Sequence, residues 1–164
     1  MRALSPTGRL LTDVLGFRYA GSTHIDDHNA GIYDIGPGGP GAVMIVVERP
    51  DLRQHRLIGA GGVHHVAFRT PDEAQHARWR EKLTRAGVGV TPIIDRFYFR
   101  SMYFREPGGV LFEIATDGPG FAVDEAEAHL GEQLSLPPFL EPQRAEIEAS
   151  LRPITPVAID PVGA

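Results

Sequence analysis

The segment from Gly62 to Thr116 constrains the fold more than any other part of the sequence, because its pattern specifies an ordered series of strands around one helix. It opens with the short apolar run GVHHVAF, which predicts a strand. Thr70 then supplies a helix cap, Pro71 a first helical residue and Glu73 the second half of a capping box. After the helix, further strands are predicted in VGVTPIIDRFYF, RSMYFRE and VLFEIAT, with EPGG as a tight hairpin turn between the last two. The order is therefore strand, helix and three strands.

The helix in this segment has one apolar face. His76, Trp79, Leu83 and Ala86 recur at helical spacing, and Gly87 follows them as a stop signal. We expect this face to pack against the sheet.

The first part of the chain repeats the same order less clearly. SPTGRLLTDVLGF predicts a helix that Ser5 caps and Pro6 starts, and AGIYDIG and AVMIVVE predict strands. Aligning PGAVMIVVE with PGGVLFEIA places Val46 on Glu113. The repeat length of about 70 residues is too long for a solenoid and indicates a duplicated supersecondary unit.

These patterns predict an α+β fold of paired modules, each with the order βαβββ. Residues 1–57 form a first module without its opening strand, because only MRAL precedes the helix, and residues 58–117 form the second module. Residues 118–164 are rich in proline and predict a carboxy-terminal arm with a short helix near 144–151.

Composition excludes several classes of function. The 16 Lys and Arg residues against 21 Asp and Glu give a net charge of -5, without a long basic run, so nucleic acid is not an expected partner. The chain has no cysteine, which excludes disulfides, zinc–thiolate sites and iron–sulfur clusters and leaves His, Asp and Glu as metal ligands. No apolar run has the length of a membrane span, and no signal peptide is evident. We therefore expect a cytoplasmic protein without a membrane partner.

Two residues on different predicted strands suggest a metal site. Strand alternation places His65 and Glu113 each among apolar neighbours, and a buried carboxylate needs a cation or a strong donor. If both face inward, they supply two thirds of a 2-His-1-carboxylate triad for Fe(II) or Mn(II). The residues alone leave other interpretations open: a hydrogen-bonded histidine, and a glutamate paired with Arg100 or Arg105.

The motifs HHVAF and YFREPGGVLFEIAT, in this order of elements, resemble the vicinal oxygen chelate superfamily, which includes glyoxalases, bleomycin resistance proteins and dioxygenases. More narrowly, residues 8–155 resemble the carboxy-terminal half of hydroquinone-type ring-cleaving dioxygenases. The resemblance implies paired βαβββ modules in a curved mixed sheet. It also implies a ring-cleaving dioxygenase that uses Fe(II) or Mn(II), a small aromatic substrate and dioxygen.

The resemblance assigns roles to five residues. His65 and Glu113 match metal ligands, whereas His64, Arg96 and Tyr103 match catalytic or substrate-contacting positions. Arg96 would stabilise an anionic oxygen, Tyr103 would donate a hydrogen bond or a proton, and His64 would transfer protons. Simpler interpretations remain: Arg96 as a surface hairpin residue, Tyr103 as a packing residue and His64 as a residue facing away from the site.

The sequence departs from this family in one respect. Family members have four modules, and their remaining histidine ligand lies in the first. The third ligand here would come from water, from another polypeptide or from a further histidine of this chain: His24, His28, His55, His76 or His129. We therefore expect a carboxy-terminal half, or a chain completed by an amino-terminal partner or a homo-oligomer. The alternatives are a metal-free small-molecule-binding module and a glyoxalase-type lyase or isomerase.

Overall fold

The computed structural model describes residues 4–51, 59 and 61–153, with side chains from residue 6 onward. The chain divides into two units, Met1–Gly120 and Phe121–Ala164. The module boundaries predicted at residues 57 and 117 stay a prediction.

The first unit opens with a helix and a three-stranded antiparallel sheet. Helix α1 spans Leu4–Arg9 and continues as a π-helical turn. The strands are β1 (Arg18–Ile25), β2 (His28–Asp34) and β3 (Val43–Val47), in the order β1-β2-β3. The helix begins at Leu4, so Ser5 and Pro6 lie inside its first turn and the predicted cap and start are wrong. The first turn tolerates proline because its N–H groups have no partner within the helix.

The second part of this unit has the predicted order of strand, helix and three strands. Strand β4 (Val66–Thr70) leads to helix α2 (Glu73–Arg85), and then come β5 (Ile94–Asp95), β6 (Phe99–Arg105) and β7 (Leu111–Pro119). The sheet order is β4-β7-β6-β5, with β4 parallel to β7 and the other pairs antiparallel. The predicted α+β fold class is confirmed.

Two of the predicted strands are shorter than expected. The strand in GVHHVAF begins only at Val66, so both histidines precede it. VGVTPIIDRFYF contributes a single bridge from Val90 to Phe104, the two residues of β5 and the first residue of β6, because Pro92 cannot donate a hydrogen bond to a strand ladder.

The sequence pattern did not reveal β1. Nearly every residue of this strand is exposed. A strand without a buried face has no hydrophobic alternation, which is the signal on which strand prediction depends.

The register of the predicted repeat is also wrong by one residue. Val46 packs against the core, and its neighbour Ile45 is exposed. In β7, Phe112 and Ile114 pack against the core, whereas Glu113 points to the other face. Val46 therefore does not match Glu113 in orientation. A shift of one residue reverses the face of every side chain, and the connections before the two strands differ in length.

Helix α2 is capped by a residue other than the predicted one. Asp72 has an extended backbone, and its Oδ1 accepts a 2.7 Å hydrogen bond from the Gln75 amide. Thr70 instead ends β4 and donates from Oγ1 to Oε1 of Gln75. Glu73 is consequently the first helical residue and cannot complete a capping box. Gly87 has a φ of 77° just beyond the helix, which confirms the predicted stop.

The core of the first unit lies between the helices and one face of each sheet. Helix α2 contributes Leu83 and His76, both fully buried, with Trp79 packed beside them, as its periodicity predicts. Ala86 lies past the last helical residue and is exposed. Met102 and Phe104 of β6 meet this layer from the sheet together with Phe112 and Ile114 of β7.

The second unit contains short helical segments. Three short segments of 3-10 helix, of three, three and six residues, precede helix α3 (Arg144–Ser150), which lies where the sequence predicts a short helix. Arg144 joins these segments through ion pairs with Glu141 and Glu148 and a hydrogen bond to the Leu134 carbonyl. Among the described residues, no helix is both long enough and apolar enough to cross a membrane.

Candidate functional site

The candidate site lies on the face of the second sheet that is turned away from the core. Glu113 is at the centre of this face, because the sheet register pairs it with Ala67 of β4 on one side and with Tyr103 of β6 on the other. Its side chain is only 4% exposed. The carboxylate of Glu113 is therefore nearly buried, and Tyr103 lies directly opposite it on the neighbouring strand.

Both oxygens of Glu113 are engaged. Tyr103 donates a 2.7 Å hydrogen bond from its hydroxyl to Oε1, and His65 Nε2 lies 2.6 Å from Oε2. A buried carboxylate is costly without such partners, so these two contacts explain how the side chain is accommodated. Arg100 and Arg105, the partners in the simpler interpretation, bind Glu73 and the Gly109 carbonyl instead. That interpretation is wrong.

His64 lies beside His65 rather than on the opposite face. The two Nδ1 atoms are 2.9 Å apart, and the rings are perpendicular. Strand alternation predicted opposite faces, but both residues precede the regular strand and are not bound by its pleat. A hydrogen bond between two ring nitrogens requires one proton, so the tautomer of one histidine fixes that of the other.

Arg96 completes the array from the turn after β5. Its Nη2 lies 3.4 Å from the Tyr103 hydroxyl, and its Cζ is 5.5 Å from the centroid of the Tyr103 ring, a cation–π distance. The side chain is exposed, and within the described residues no ion pair joins it to a carboxylate. The guanidinium charge is therefore available to a ligand.

The structure thus brings all five predicted site residues together. Contacts run in series through His64, His65, Glu113, Tyr103 and Arg96. His65 also meets Tyr103 edge to face, with ring centroids 5.8 Å apart. The chemical roles assigned to these residues stay a prediction.

The donor set suits part of a metal site. One imidazole nitrogen and one carboxylate oxygen converge at His65 and Glu113, and Fe(II) and Mn(II) both accept these ligand types. In residues 4–51, 59 and 61–153, no group of three or more His, Asp or Glu side chains could hold a metal ion. The residues therefore fit two of the three positions of a facial triad.

The remaining histidines do not fill the third position within the described residues. His76 is buried in the core, with Nε2 2.8 Å from the Ile114 carbonyl, and His129 contacts Glu132 in the second unit. His24 and His28 lie on β1 and β2 without a metal-binding cluster. His55 lies outside the described residues.

Sequence reasoning missed Thr91, which holds the backbone of Tyr103. The Thr91 amide donates to the Tyr103 carbonyl, and Oγ1 of Thr91 accepts from the Tyr103 amide, both at 3.0 Å. The one signal in the sequence is the Thr-Pro pair, because a residue before proline prefers an extended backbone. Such a backbone lies well beside a strand.

The comparisons with known proteins agree with this fold. The family model described as "Glyoxalase/Bleomycin resistance protein/Dioxygenase superfamily" matches residues 9–114. MhqA from Bacillus subtilis (strain 168), a candidate ring-cleaving dioxygenase by its name, is 47% identical over 150 residues, which are 91% of this chain and 47% of that protein. The chlorohydroquinone/hydroquinone 1,2-dioxygenase from Sphingobium indicum is 38% identical over 125 residues, which are 74% of this chain and 38% of that protein.

A solved structure of a related protein has a similar fold. The crystal structure of a candidate dioxygenase from Bacillus subtilis superimposes with a TM-score of 0.81 at 40% identity, covering 92% of this chain and 46% of that one. This chain spans less than half the length of each of these three relatives.

Proposed function

The chain belongs to the glyoxalase/bleomycin resistance protein/dioxygenase superfamily, and on that premise we propose that it carries part of the active site of a ring-cleaving dioxygenase for hydroquinone-like or catechol-like aromatics. One observation carries the proposal: the two oxygens of Glu113 meet an imidazole nitrogen on one side and a phenol hydroxyl on the other. This arrangement combines a pair of metal ligands with a hydrogen-bond donor that can reach a bound substrate.

His65 Nε2 and Glu113 Oε2 would hold Fe(II) or Mn(II). When bound, such a metal supplies open coordination positions for an aromatic diolate and dioxygen, together with the redox chemistry that ring cleavage needs. No described side chain completes this pair as a group of three, so the third position would be filled by water, by His55 or by a residue of another polypeptide.

His64 orients the imidazole of His65. For Nε2 of His65 to act as a ligand its proton must lie on Nδ1, which donates it to Nδ1 of His64 at 2.9 Å. The partner histidine thereby fixes both the tautomer of His65 and the direction of its lone pair.

Tyr103 and Arg96 serve the substrate side of the site. The Tyr103 hydroxyl donates to Glu113 and accepts from Arg96, so it can transfer a hydrogen bond to a substrate oxygen without moving far. Arg96 places a permanent positive charge beside that hydroxyl, where it stabilises an ionised substrate oxygen.

The proposal is tested by an anaerobic calorimetric titration of the chain with Fe(II) and with Mn(II), followed by oxygen uptake with methylhydroquinone. We expect one equivalent of metal to bind, and His65→Ala and Glu113→Ala each to abolish binding. His129→Ala removes an exposed histidine of the second unit and should bind metal as the unaltered chain does. Metal binding that survives both site substitutions, or oxygen uptake that is the same with and without methylhydroquinone, contradicts the proposal.

A metal-free binding module is the second candidate. The observation that favours it is the direct contact of His65 with Glu113, which satisfies both side chains without an ion. It predicts that an aromatic ligand binds equally well in the presence of a chelator and after His65→Ala. A glyoxalase-type lyase or isomerase would instead depend on a thiol cofactor and consume no oxygen.

A further inference from the structure

The turn between β5 and β6 has an unfavourable backbone conformation at Phe97. This residue has a φ of 70°, and the Tyr98 amide donates a 2.8 Å hydrogen bond to the Arg96 carbonyl across it. Together these features define a γ-turn of the rare, positive-φ form, which is strained. A large aromatic residue in this region of backbone space is an outlier, because its Cβ crowds the carbonyl oxygen.

Asp95 stabilises this turn with its side chain. Its Oδ1 accepts a 2.8 Å hydrogen bond from the Phe97 amide, and the Arg96 amide donates to the Phe99 carbonyl at 2.9 Å. The backbone of Asp95 is itself fixed in the sheet opposite Arg100. The strained conformation at Phe97 is therefore held by the Asp95 side chain, by the hydrogen bond between Arg96 and Phe99 and by the sheet pairing of Asp95.

The residue that this turn presents is Arg96. Its amide and carbonyl are both hydrogen-bonded within the turn, and its guanidinium reaches the ring and the hydroxyl of Tyr103. Backbone strain of this kind occurs mainly at functional sites, where surrounding contacts maintain a geometry that the local sequence disfavours. The Phe97 ring is half-buried and packs edge to face on Tyr98, with ring centroids 4.9 Å apart, and neither residue belongs to the hydrophobic core cluster.

We propose that Asp95 and the strained turn at Phe97 are a positioning device that keeps the Arg96 guanidinium at Tyr103, where it receives the anionic oxygen of an aromatic ligand. The proposal rests on the proposed function for the class of ligand. It adds that Asp95 and Phe97 act through Arg96 and touch no substrate themselves.

The physical advantage is preorganisation. Arginine on a flexible turn would lose backbone and side-chain freedom when it binds an anion, and that loss would weaken binding. A turn that is already fixed avoids most of this loss and places the charge before the ligand arrives.

Four variants separate positioning from general stability. Asp95→Ala removes the acceptor for the Phe97 amide, and Asp95→Asn keeps a side-chain oxygen at the same place. Phe97→Gly keeps the positive φ without strain. Asp72→Ala is the matched control, because it removes an equivalent carboxylate-to-amide hydrogen bond at the start of α2, in a different element.

Two measurements are made on each metal-free variant. The first is the nuclear Overhauser effect between side-chain protons of Arg96 and ring protons of Tyr103. The second is the affinity for 4-nitrocatechol, which is an anion at mildly alkaline pH, compared with its neutral dimethyl ether.

We expect Asp95→Ala to lose the Overhauser contact and to bind the anionic probe about tenfold more weakly, with unchanged affinity for the neutral ether. Asp95→Asn, Phe97→Gly and Asp72→Ala should retain both. The proposal is overturned if Asp95→Ala keeps the contact and the affinity, if Asp72→Ala loses them equally, or if the unaltered chain does not prefer the anion. Because neither readout needs metal or turnover, failed oxygen uptake would count against the proposed function alone.

Discussion

Thr7 of helix α1 donates a 2.6 Å hydrogen bond from Oγ1 to Oε2 of Glu106, although the two residues are 99 positions apart in the sequence. Both side chains are nearly buried. Glu106 starts the turn between β6 and β7, the strands that carry Tyr103 and Glu113. The first helix is thereby attached to the hairpin on which the candidate site is built.

Glu106→Ala should lower the free energy of unfolding by about 3 kcal/mol, because Glu106 accepts hydrogen bonds from the Thr7 hydroxyl and from the amides of Gly108 and Val110. Urea denaturation monitored by circular dichroism measures the change. Asp51→Ala removes an exposed carboxylate paired with Arg49 and should leave the midpoint unchanged. Equal effects of the two substitutions would show that the buried network does not anchor the hairpin.

Asp72→Ala should destabilise the protein by about 1 kcal/mol, because the Gln75 amide loses its capping acceptor. Hydrogen exchange gives the more specific test. The Gln75 amide should exchange faster in Asp72→Ala and at the original rate in Thr70→Val. The reverse result would restore Thr70 as the cap that the sequence predicted.

Tyr103→Phe should weaken Fe(II) binding about tenfold while the protein stays folded, since partners of metal ligands typically contribute that much to affinity. The substitution removes only the hydroxyl that donates to Glu113 Oε1. Tyr19→Phe, which removes a phenol hydroxyl from exposed strand β1, is the control and should bind Fe(II) as before. If titration calorimetry gives the same affinity for both variants, the tyrosine does not support the ligand.

The Arg69 guanidinium hydrogen-bonds both oxygens of Asp117, at 2.9 and 2.7 Å, and holds the pKa of that carboxyl below its usual value. A lowered folded-state pKa means that this pair contributes stability above the ordinary aspartate pKa of about 3.9, and that the contribution is lost as the pH falls through the lower folded value. We expect Arg69→Gln to raise the pKa of Asp117 in a carboxyl NMR titration.

The control for this titration is the exposed pair in the second unit. Arg144→Gln should raise the pKa of Glu141, which Arg144 lowers by hydrogen bonding, and should leave Asp117 unchanged. Added salt should shrink both effects, because exposed charges are screened. An Asp117 midpoint that does not differ between the unaltered chain and Arg69→Gln would contradict the role of the pair.

The order of elements was predictable from the sequence because hydrophobic alternation and turn residues are local signals. Strand β1 lacked that signal, as it is exposed on both faces. The register of the repeat could not be predicted either: matching Pro-Gly pairs aligned Val46 with Glu113, but their side chains point to different faces. Local similarity does not specify which face of a sheet packs against a helix.

The site followed from resemblance more than from pattern. The five residues lie in contact with one another, and their chemical roles stay a prediction. The packing of His64 against His65 depends on backbone outside the regular strand. The hydrogen bond of Thr91 to the Tyr103 amide joins two separate segments, which no spacing in the sequence reveals, whereas Asp95 contacts the Phe97 amide only two residues along the chain.

Strand β4 pairs in parallel with β7, which follows it in the chain only after helix α2 and strands β5 and β6. Ala67 and Glu113 are neighbours in the sheet, although helix α2 and strands β5 and β6 separate them in the sequence. Contacts between distant parts of a chain form slowly, because the entropy of closing the loop is lost before they are gained. We therefore expect His65 and Glu113 to come together late in folding. The unfolded chain would then have no preformed metal-binding site, and the rate of metal uptake during refolding would report when β4 pairs with β7.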